Sequence, residues 1–263
     1  MLEVKELSVI AGQHRRLLDQ VSLTLETGRI TGLTGASGAG KTTVLRSILG
    51  ILNRHSRIVC GDILLDGRSL KNLPPAAHRS LCGNTIGFIP QNPMTAFDHR
   101  LSIRCQIQET LKIRKGMSPD QADQTVIPLL DRLGISAPGR LLESFPDQLS
   151  GGMLQRVAIV LLLAMKPAYI LADEPTSALD EENRRLLLQC LAAEKEDAGI
   201  LFVSHDAGAL TKLCEHVCIM EQGRITEQGP MPQLLNAPSR EWTRRFAAAA
   251  ENTDQEGWLW KDC

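Results

Sequence analysis

Gly35-Ala36-Ser37-Gly38-Ala39-Gly40-Lys41-Thr42 decides the fold of this chain, because it follows the order G-x-x-x-x-G-K-[ST]. Glycines at these spacings let backbone N–H groups surround phosphates, the lysine reaches the β- and γ-phosphates, and the threonine hydroxyl reaches Mg²⁺. Residues 29–34 read as a strand entering the loop and 43–49 as a helix leaving it, whose N-terminus favours anions. The stretch predicts binding of ATP or GTP with Mg²⁺. The predicted contacts are Gly35, Ser37, Gly38, Ala39, Gly40, Lys41, Thr42 and Thr43.

A second glycine-bearing loop lies later in the chain. Leu149-Ser150-Gly151-Gly152-Met153-Leu154-Gln155-Arg156 precedes an apolar run, and the strand-like segment after it ends in Asp173-Glu174. Two glycines before a helix form another site lined with amides that suits an anion. A nucleotide already held by the Lys41 loop is not easily gripped by a second such loop of the same chain. The two loops therefore imply a second chain.

These segments resemble the ATP-binding-cassette (ABC) transporter ATPases, and further segments resemble that family in the expected order. Ser150, Gly151 and Gly152 are similar to its signature loop, which closes over the nucleotide held by the other subunit of a head-to-tail dimer. Asp173 is similar to the end of the Walker B strand, and Glu174 to the catalytic glutamate beside it.

Three more landmarks of the family can be placed on this chain. Gln91 follows the apolar segment 86–90 and resembles the Q-loop glutamine that touches Mg²⁺ and the attacking water. Residues 177–180, with Asp180, resemble the D-loop, and His205 after the apolar segment 200–204 resembles the switch histidine. The resemblance implies that Glu174, His205 and Gln91 are catalytic, that Thr42, Gln91 and Asp173 hold Mg²⁺, and that Ser150, Gly151, Gly152 and Asp180 contact nucleotide.

Hydrophobic patterns predict an α/β architecture. Segments 2–9, 21–25 and 62–66 alternate apolar and polar residues and predict an antiparallel edge layer, whereas 86–89, 169–172 and 200–204 are continuously apolar, as strands of a buried parallel sheet are. Ser118-Pro119-Asp120 predicts the start of a helix that Pro128 should kink or interrupt. The resemblance makes this a P-loop NTPase with a RecA-like core and an inserted helical subdomain. We expect the parts 1–91 (nucleotide-binding core, first part), 92–153 (helical subdomain), 154–235 (core, second part) and 236–263 (C-terminal tail).

Composition limits the partners of the chain. With 263 residues and a net charge of −1, it has no general affinity for polyanions, and no basic cluster interleaved with aromatics predicts nucleic-acid binding. The longest purely apolar stretch, 157–165, is far shorter than the ~20 residues that span a bilayer, and the first residues lack a signal-peptide pattern. Seven cysteines without paired spacing favour reduced thiols. The resemblance implies a peripheral subunit at the cytoplasmic face of the inner membrane.

Within the family, three stretches resemble the dipeptide, oligopeptide and nickel importer ATPases: residues 91–98, 149–156 and 233–243. The Ser-Gly-Gly-Met form with Met153-Leu154 and the short C-terminal part are similar to the nickel importers. The resemblance implies import of nickel or a nickel–metallophore complex, with dipeptide or oligopeptide import as the alternative. It also implies a second, different cassette ATPase chain, two integral-membrane permeases, and a substrate-binding protein that acts through the permeases. Trp258 and Trp260 are either an interface anchor or part of a loosely ordered tail.

The chain departs from the family pattern in one respect, and two other functional classes need to be compared with it. Many cassette ATPases stack adenine on an early aromatic residue, yet residues 1–28 contain no Phe, Tyr or Trp, so the choice of ATP over GTP rests on the resemblance alone. A cassette ATPase that serves DNA repair or translation would have two cassettes or long insertions. A non-hydrolysing module would lack Lys41, Glu174 or His205, and all three are present.

Overall fold

The computed structural model describes residues 1–177 and 179–254, which divide into two compact units. The first comprises Met1–Leu73 and the described residues from Gly199 onward, and the second is Pro74–Ala198. In chain order the elements are β1 (Leu2–Ala11), β2 (Arg15–Leu25), β3 (Ile30–Gly35), α1 (Lys41–Ile48), β4 (Ser56–Leu65), β5 (Arg68–Ser69), α2 (Pro75–Leu81), β6 (Ile86–Ile89), α3 (Ile103–Lys115), α4 (Pro119–Arg132), α5 (Pro138–Glu143), α6 (Gly151–Met165), β7 (Tyr169–Asp173), α7 (Glu181–Glu194), β8 (Gly199–Val203), α8 (Ala207–Leu213), β9 (His216–Glu221), β10 (Arg224–Pro230), α9 (Met231–Asn236) and α10 (Glu241–Asp254).

The first unit combines an antiparallel layer with parallel strands. β1 lies between β2 and β4 and pairs antiparallel with both, and β5 pairs with β4 at the edge. β3 pairs in parallel with β8 on one side and with β9 on the other, while β10 returns antiparallel to β9. Every residue of β3 and β8 is buried, as expected for parallel strands that are covered on both faces. The predicted antiparallel layer and buried parallel strands are confirmed.

The second unit holds the other parallel strands and most of the helices. β6 pairs in parallel with β7, and β6 has the bounds that its apolar run predicts. Helices α3, α4 and α5 follow one another between these strands, which confirms the inserted helical part of the predicted fold. α6 is apolar almost all round and most of its residues are buried, as is usual for a helix inside a core. None of the helices within residues 1–177 and 179–254 has the length and apolar character needed to cross a membrane.

Helix α4 corrects one expectation. Its start is confirmed, because Ser118 and Gln121 form a reciprocal capping box, with the Gln121 N–H donating to Ser118 Oγ and the Ser118 N–H donating to Gln121 Oε1. The predicted interruption at Pro128 is wrong, since the helix continues to Arg132. Proline removes one helical hydrogen bond, and burial of Val126 and Leu130 on either side stabilises the helix against that loss.

Helix α10 was not predicted from the sequence. It lies in the part expected to be a C-terminal tail, and Phe246, Ala247 and Ala250 are buried along one face. Trp242 stacks on Phe246 with ring centroids 5.8 Å apart. Trp258 and Trp260, for which an interface anchor and a loosely ordered tail were the two expectations, lie outside the described residues. The four-part division at residues 91, 153 and 235 stays a prediction.

The N-terminus of α10 is held by one carboxylate, that of Glu227 in β10. It accepts hydrogen bonds from the Ser239 N–H (3.1 Å), the Ser239 hydroxyl (2.9 Å), the Arg240 N–H (3.3 Å) and the Thr243 hydroxyl. Burial alone would raise the pKa of Glu227, but the hydrogen bonds from Thr243, Ser239 and Arg240 outweigh it and hold the pKa below its ordinary value. The ionised carboxylate therefore stabilises the docked helix.

We expect Glu227→Gln to lower the free energy of unfolding by about 1–2 kcal/mol at pH 7, because an amide is a weaker acceptor and brings a donor against other donors. The folded-state pKa is depressed, so the stabilisation is fully present above the unfolded-state pKa and is lost as the pH falls through the folded-state pKa. Urea unfolding of both proteins from pH 7 down to pH 3 checks this. Glu241→Gln, which removes an exposed ion pair with Arg245 in the same helix, is the matched control and should cost about 0.5 kcal/mol or less. A difference between wild type and Glu227→Gln that does not shrink in acid would contradict the role of the charge.

Candidate functional site

The glycine loop joins β3 to α1 and is closed by its own lysine. Lys41 Nζ donates to the backbone carbonyls of Gly35 (2.7 Å) and Ala36 (3.1 Å), so the side chain reaches back across the loop to the end of the strand. α1 begins at Lys41 and directs the positive end of its dipole toward the loop. Thr42 and Thr43 lie in the first turn of the same helix. The loop thus combines a helix N-terminus and an ammonium group, which is a site for an anion.

A turn between β9 and β10 is hydrogen-bonded to this loop. The Gly223 N–H donates to the Ala39 carbonyl (2.9 Å), and the Asp19 N–H donates to the Gly223 carbonyl (2.8 Å). The Asp19 carboxylate also binds the Arg16 guanidinium (2.7 Å) and that of Arg224 (2.6 Å). Hydrogen bonding to Arg16 and then to Arg224 lowers the pKa of Asp19 and keeps it ionised. These residues were missed from the sequence, because their partners in the loop are far away along the chain.

His205 lies beside the glycine loop at the edge of the first unit. β3 and β8 are parallel neighbours, so their carboxyl ends meet at one edge of the sheet, where β3 enters the loop and β8 leads to His205. The Ser204 N–H donates to the Leu33 carbonyl (3.3 Å), which continues the pairing up to the histidine. Asp206 then caps α8 by accepting from the Ala209 N–H (3.1 Å). The backbone on both sides of His205 is therefore fixed.

In the second unit the same arrangement brings Gln91 and Glu174 to one edge. β6 and β7 are parallel, Gln91 comes two residues after β6, and Asp173 is the last residue of β7. Asp173 is only 4% exposed. Glu174 follows with a φ of 49°, a left-handed conformation that is uncommon for a residue other than glycine and is concentrated at functional sites. Its carbonyl accepts from the Ser177 N–H (3.2 Å) and hydroxyl (3.0 Å), which holds this turn.

Ser150, Gly151 and Gly152 form the N-terminus of α6. Ser150 caps the helix, since its Oγ accepts from the Met153 N–H (3.2 Å), and a Cβ placed on Gly151 would meet no atom within 4 Å. One turn later, the Gln155 side chain, 1% exposed, donates to the Pro90 carbonyl (3.4 Å), next to Gln91. The loop therefore presents helix-end amides, and α6 contacts the segment that carries Gln91.

Asp180 caps α7 and lies in a second network of the second unit. Its carboxylate accepts from the backbone N–H of Asn183 (2.9 Å) and from the side-chain amide of Asn183 (2.8 Å to each oxygen). Asn183 in turn accepts from Arg156 Nη1 (2.9 Å). Neither Arg156 nor Asn183 was predicted as a site residue. Asn183 stands at the third helical position after an N-cap aspartate, which was the available signal in the sequence.

The predicted residues are divided between the two units. The first unit carries Gly35 to Thr43 and His205, and the second carries Gln91, Ser150 to Gly152, Asp173, Glu174 and Asp180. Ala178, within the D-loop resemblance, lies outside the described residues.

Comparison with known proteins identifies relatives over most of the chain. Residues 18–177 match the family model described as ABC transporter. The chain is 36% identical to the metal-staphylopine import system ATP-binding protein CntD of Staphylococcus aureus, over 93% of this chain and 91% of that protein. It is 33% identical to the oligopeptide transport ATP-binding protein OppD of Lactococcus lactis subsp. cremoris, over 93% of this chain and 74% of that protein. Among solved structures, the dimeric post-hydrolysis state of the ATP-binding cassette MJ0796 bound to ADP and Pi has a TM-score of 0.78 and 25% identity, and the match covers 88% of this chain and 99% of that one.

The backbone of the glycine loop makes a testable demand at Gly40. Gly40 and Gly38 have φ values of 108° and 77°, so alanine at either position is strained by about 1–2 kcal/mol. At Gly40 a Cβ would also lie 2.8 Å from Leu18 Cδ2 and 3.0 Å from the Leu17 carbonyl oxygen, whereas at Gly38 it would meet nothing within 4 Å. We expect Gly40→Ala to lower the free energy of unfolding by about 1–3 kcal/mol more than Gly38→Ala in urea unfolding. Equal losses would show that β2 does not restrict the loop.

Proposed function

Since the chain belongs to the ABC transporter family, as an ATP-binding subunit like those of peptide and metal-staphylopine importers, we propose that it binds ATP with Mg²⁺ and hydrolyses it to drive import. The observation that carries the proposal is the loop between β3 and α1, where Lys41 reaches back to the Gly35 and Ala36 carbonyls beside a helix N-terminus. A triphosphate that enters this loop replaces those carbonyls as the partner of the lysine, and its negative charge faces the helix dipole.

Each predicted residue then has a role in hydrolysis. Lys41 and the amides of residues 38–43 hold the phosphates. Glu174 accepts a proton from the attacking water, Gln91 orients that water, and His205 donates to the γ-phosphate as charge develops on it. The left-handed backbone of Glu174 and its hydrogen bonds to Ser177 support this role, because they fix where the carboxylate leaves the strand end.

The residues assigned to Mg²⁺ suit that ion. Thr42, Gln91 and Asp173 offer a hydroxyl, an amide oxygen and a carboxylate, and Mg²⁺ prefers oxygen ligands from few protein groups together with phosphates and water. Asp173 is buried at the end of β7, where a carboxylate is stabilised by a cation. When bound, the ion would neutralise negative charge on the phosphates of ATP.

The signature loop is proposed to act on a nucleotide held by another subunit. Ser150, Gly151 and Gly152 lie at a helix N-terminus in the second unit, and the Lys41 loop lies in the first. Each is an anion site of its own. The similar cassette MJ0796 is described as dimeric and bound to ADP and Pi, which supports a dimer. In the dimer that we propose, the Ser150 loop and Asp180 of each subunit approach nucleotide held by the other.

We propose further that the second cassette is a different chain and that the pair works on two membrane permeases. A substrate-binding protein would deliver cargo to those permeases, and this chain would be peripheral at the cytoplasmic face of the inner membrane. The support is similarity to CntD and OppD, whose names describe import and transport systems. No role with nucleic acid is proposed.

A metal complex is the cargo we favour, with nickel or a nickel–metallophore complex as the specific proposal. Similarity to the metal-staphylopine protein CntD supports it and extends over 91% of that relative, compared with 74% of the oligopeptide protein OppD. Dipeptide or oligopeptide import is the second candidate, supported by OppD.

Replacing the proposed base separates binding from hydrolysis. Glu174→Gln should leave ATP binding intact and lower turnover by ~10²–10⁴-fold, because the amide still hydrogen-bonds water but takes no proton. The measurement is ATP hydrolysis and nucleotide retention by the complex with its partner cassette, whose own glutamate is also replaced. Glu182→Gln, which changes an exposed carboxylate in the first turn of α7, is the matched control and should keep full turnover. Near-wild-type hydrolysis by the doubly substituted complex would show that another group is the base.

Uptake experiments decide the cargo. If the chain energises nickel import, its deletion should lower cellular nickel and the activity of nickel enzymes under metal limitation, and high external nickel should restore both by non-specific entry. The wild-type gene should complement the deletion, whereas Glu174→Gln should not, because it binds ATP without turnover. Unchanged nickel uptake combined with loss of growth on dipeptides would assign the chain to peptide import.

A further inference from the structure

Three elements of the second unit meet at the guanidinium of Arg156. Arg156 lies in α6, one turn after the Ser150 loop, and its Nε donates to the Gly152 carbonyl (3.4 Å) of that first turn. Nη1 donates to the carbonyls of Leu133 and Gly134 (3.2 Å each), at the C-terminal end of α4. The same nitrogen donates to Asn183 Oδ1 (2.9 Å), in the first turn of α7. A planar, permanently charged group with several donors suits such a three-way contact.

Asn183 connects this guanidinium to Asp180 through opposite ends of one amide. Its oxygen accepts from Arg156, and its Nδ2 donates to both carboxylate oxygens of Asp180 (2.8 Å each). The backbone N–H of Asn183 adds a third bond to Asp180 (2.9 Å). The backbone and then the side-chain hydrogen bonds of Asn183 lower the pKa of Asp180, and the charge of Arg156 adds to the effect. Aspartate at position 183 would keep the acceptor for Arg156 and lose the donor for Asp180.

The C-terminal end of α4 leaves little space around the Arg156–Asn183 contact. Gly134 has a φ of 74°, and a Cβ there would lie 3.0 Å from Leu186 Cδ1 of α7 and 3.7 Å from Arg156 Nη1. The end of α4 therefore packs closely against the Arg156–Asn183 contact. The half-buried position of Arg156 strengthens its hydrogen bonds, since water competes less for the donors.

We propose that Arg156 and Asn183 are positioning residues that tie the signature helix α6 to Asp180, so that the Ser150 loop and Asp180 keep one fixed spacing as they approach the partner's nucleotide. The inference rests on the proposed function, because the spacing matters only if both segments act on ATP. Neither residue is proposed to touch nucleotide. Their effect is therefore expected on turnover in the closed complex and not on nucleotide capture by the Lys41 loop.

Steady-state ATP hydrolysis by the full complex tests the proposal. We expect Arg156→Met and Asn183→Ala each to lower kcat about tenfold, with KM for ATP within about twofold of wild type. The double variant should be no slower than the slower single variant, because both substitutions break the same connection. The thermal unfolding temperature of each variant shows whether a lower kcat comes from a smaller folded fraction under the assay conditions.

Two further variants separate positioning from simple adhesion between helices. Asn183→Asp keeps an oxygen acceptor for Arg156 and turns that contact into an ion pair. It also places a second carboxylate next to that of Asp180, which the first one repels. We therefore expect a loss of kcat as large as that of Asn183→Ala. Arg132→Met is the matched control, because Arg132 also joins α4 to α7, through Cys190 (3.4 Å) and Glu194 (3.6 Å), and makes no hydrogen bond or ion pair with α6 or Asp180 among the described residues. It should keep kcat within about twofold. Wild-type kcat for Asn183→Asp, or an equal loss in Arg132→Met, would overturn the proposal.

Hydrogen exchange gives a readout that needs no turnover. The amides of residues 181–184, at the start of α7, should exchange faster in Asn183→Asp and Arg156→Met than in wild type. Their exchange rates in Arg132→Met should equal those of wild type. If the wild-type complex hydrolyses no ATP, the proposed function fails, while this measurement still decides whether the pair holds Asp180. Unchanged exchange in both test variants would refute the connection itself.

Discussion

Parallel pairing between strands brings their carboxyl ends to one edge of a sheet, and the placement of every predicted catalytic residue depends on that constraint. In the first unit it sets the glycine loop after β3 beside His205 after β8. In the second it sets Gln91 after β6 beside Asp173 and Glu174 at the end of β7. Because these strands are buried on both faces, their polar groups can be displayed only at the ends. Chemistry is therefore confined to the loops, as it is in other open α/β sheets.

The loops themselves need support that the strands do not provide. The glycine loop rests on the turn at Gly223, which Asp19 and its two arginine partners hold against β2. In the second unit, neighbouring residues of α6 contact different segments: Gln155 donates to the Pro90 carbonyl, and Arg156 donates to Asn183 at the start of α7. A helix that contacts two segments in this way limits how far either can move alone.

The sequence predicted best what is local. The bounds of β6 follow from an apolar run and the start of α4 follows from Ser118-Pro119-Asp120, and both signals act over a few residues. The glycine loop and the edge positions of Gln91 and Glu174 also followed, because strand ends and motif spacing are sequence features. The interruption expected at Pro128 does not occur, since tertiary burial of the helix outweighs one missing hydrogen bond. Helix α10, Gly223 and the Arg156–Asn183 contact were missed, because each depends on residues that only the fold brings together.

Ser150 shows how one side chain can meet both a structural and a chemical demand. Its Oγ accepts the Met153 N–H and caps α6, a contact worth about 1 kcal/mol in other helices. A serine hydroxyl also has one hydrogen to donate, and capping does not use it. The cap fixes the start of the helix, which aligns the amides of Gly151 and Gly152 with the dipole, and the remaining O–H can still turn toward a phosphate oxygen. Alanine would remove both contributions, whereas threonine would keep both and add a methyl group at the mouth of the loop. Serine is thus the smallest residue that caps the helix and still has a hydroxyl hydrogen to donate.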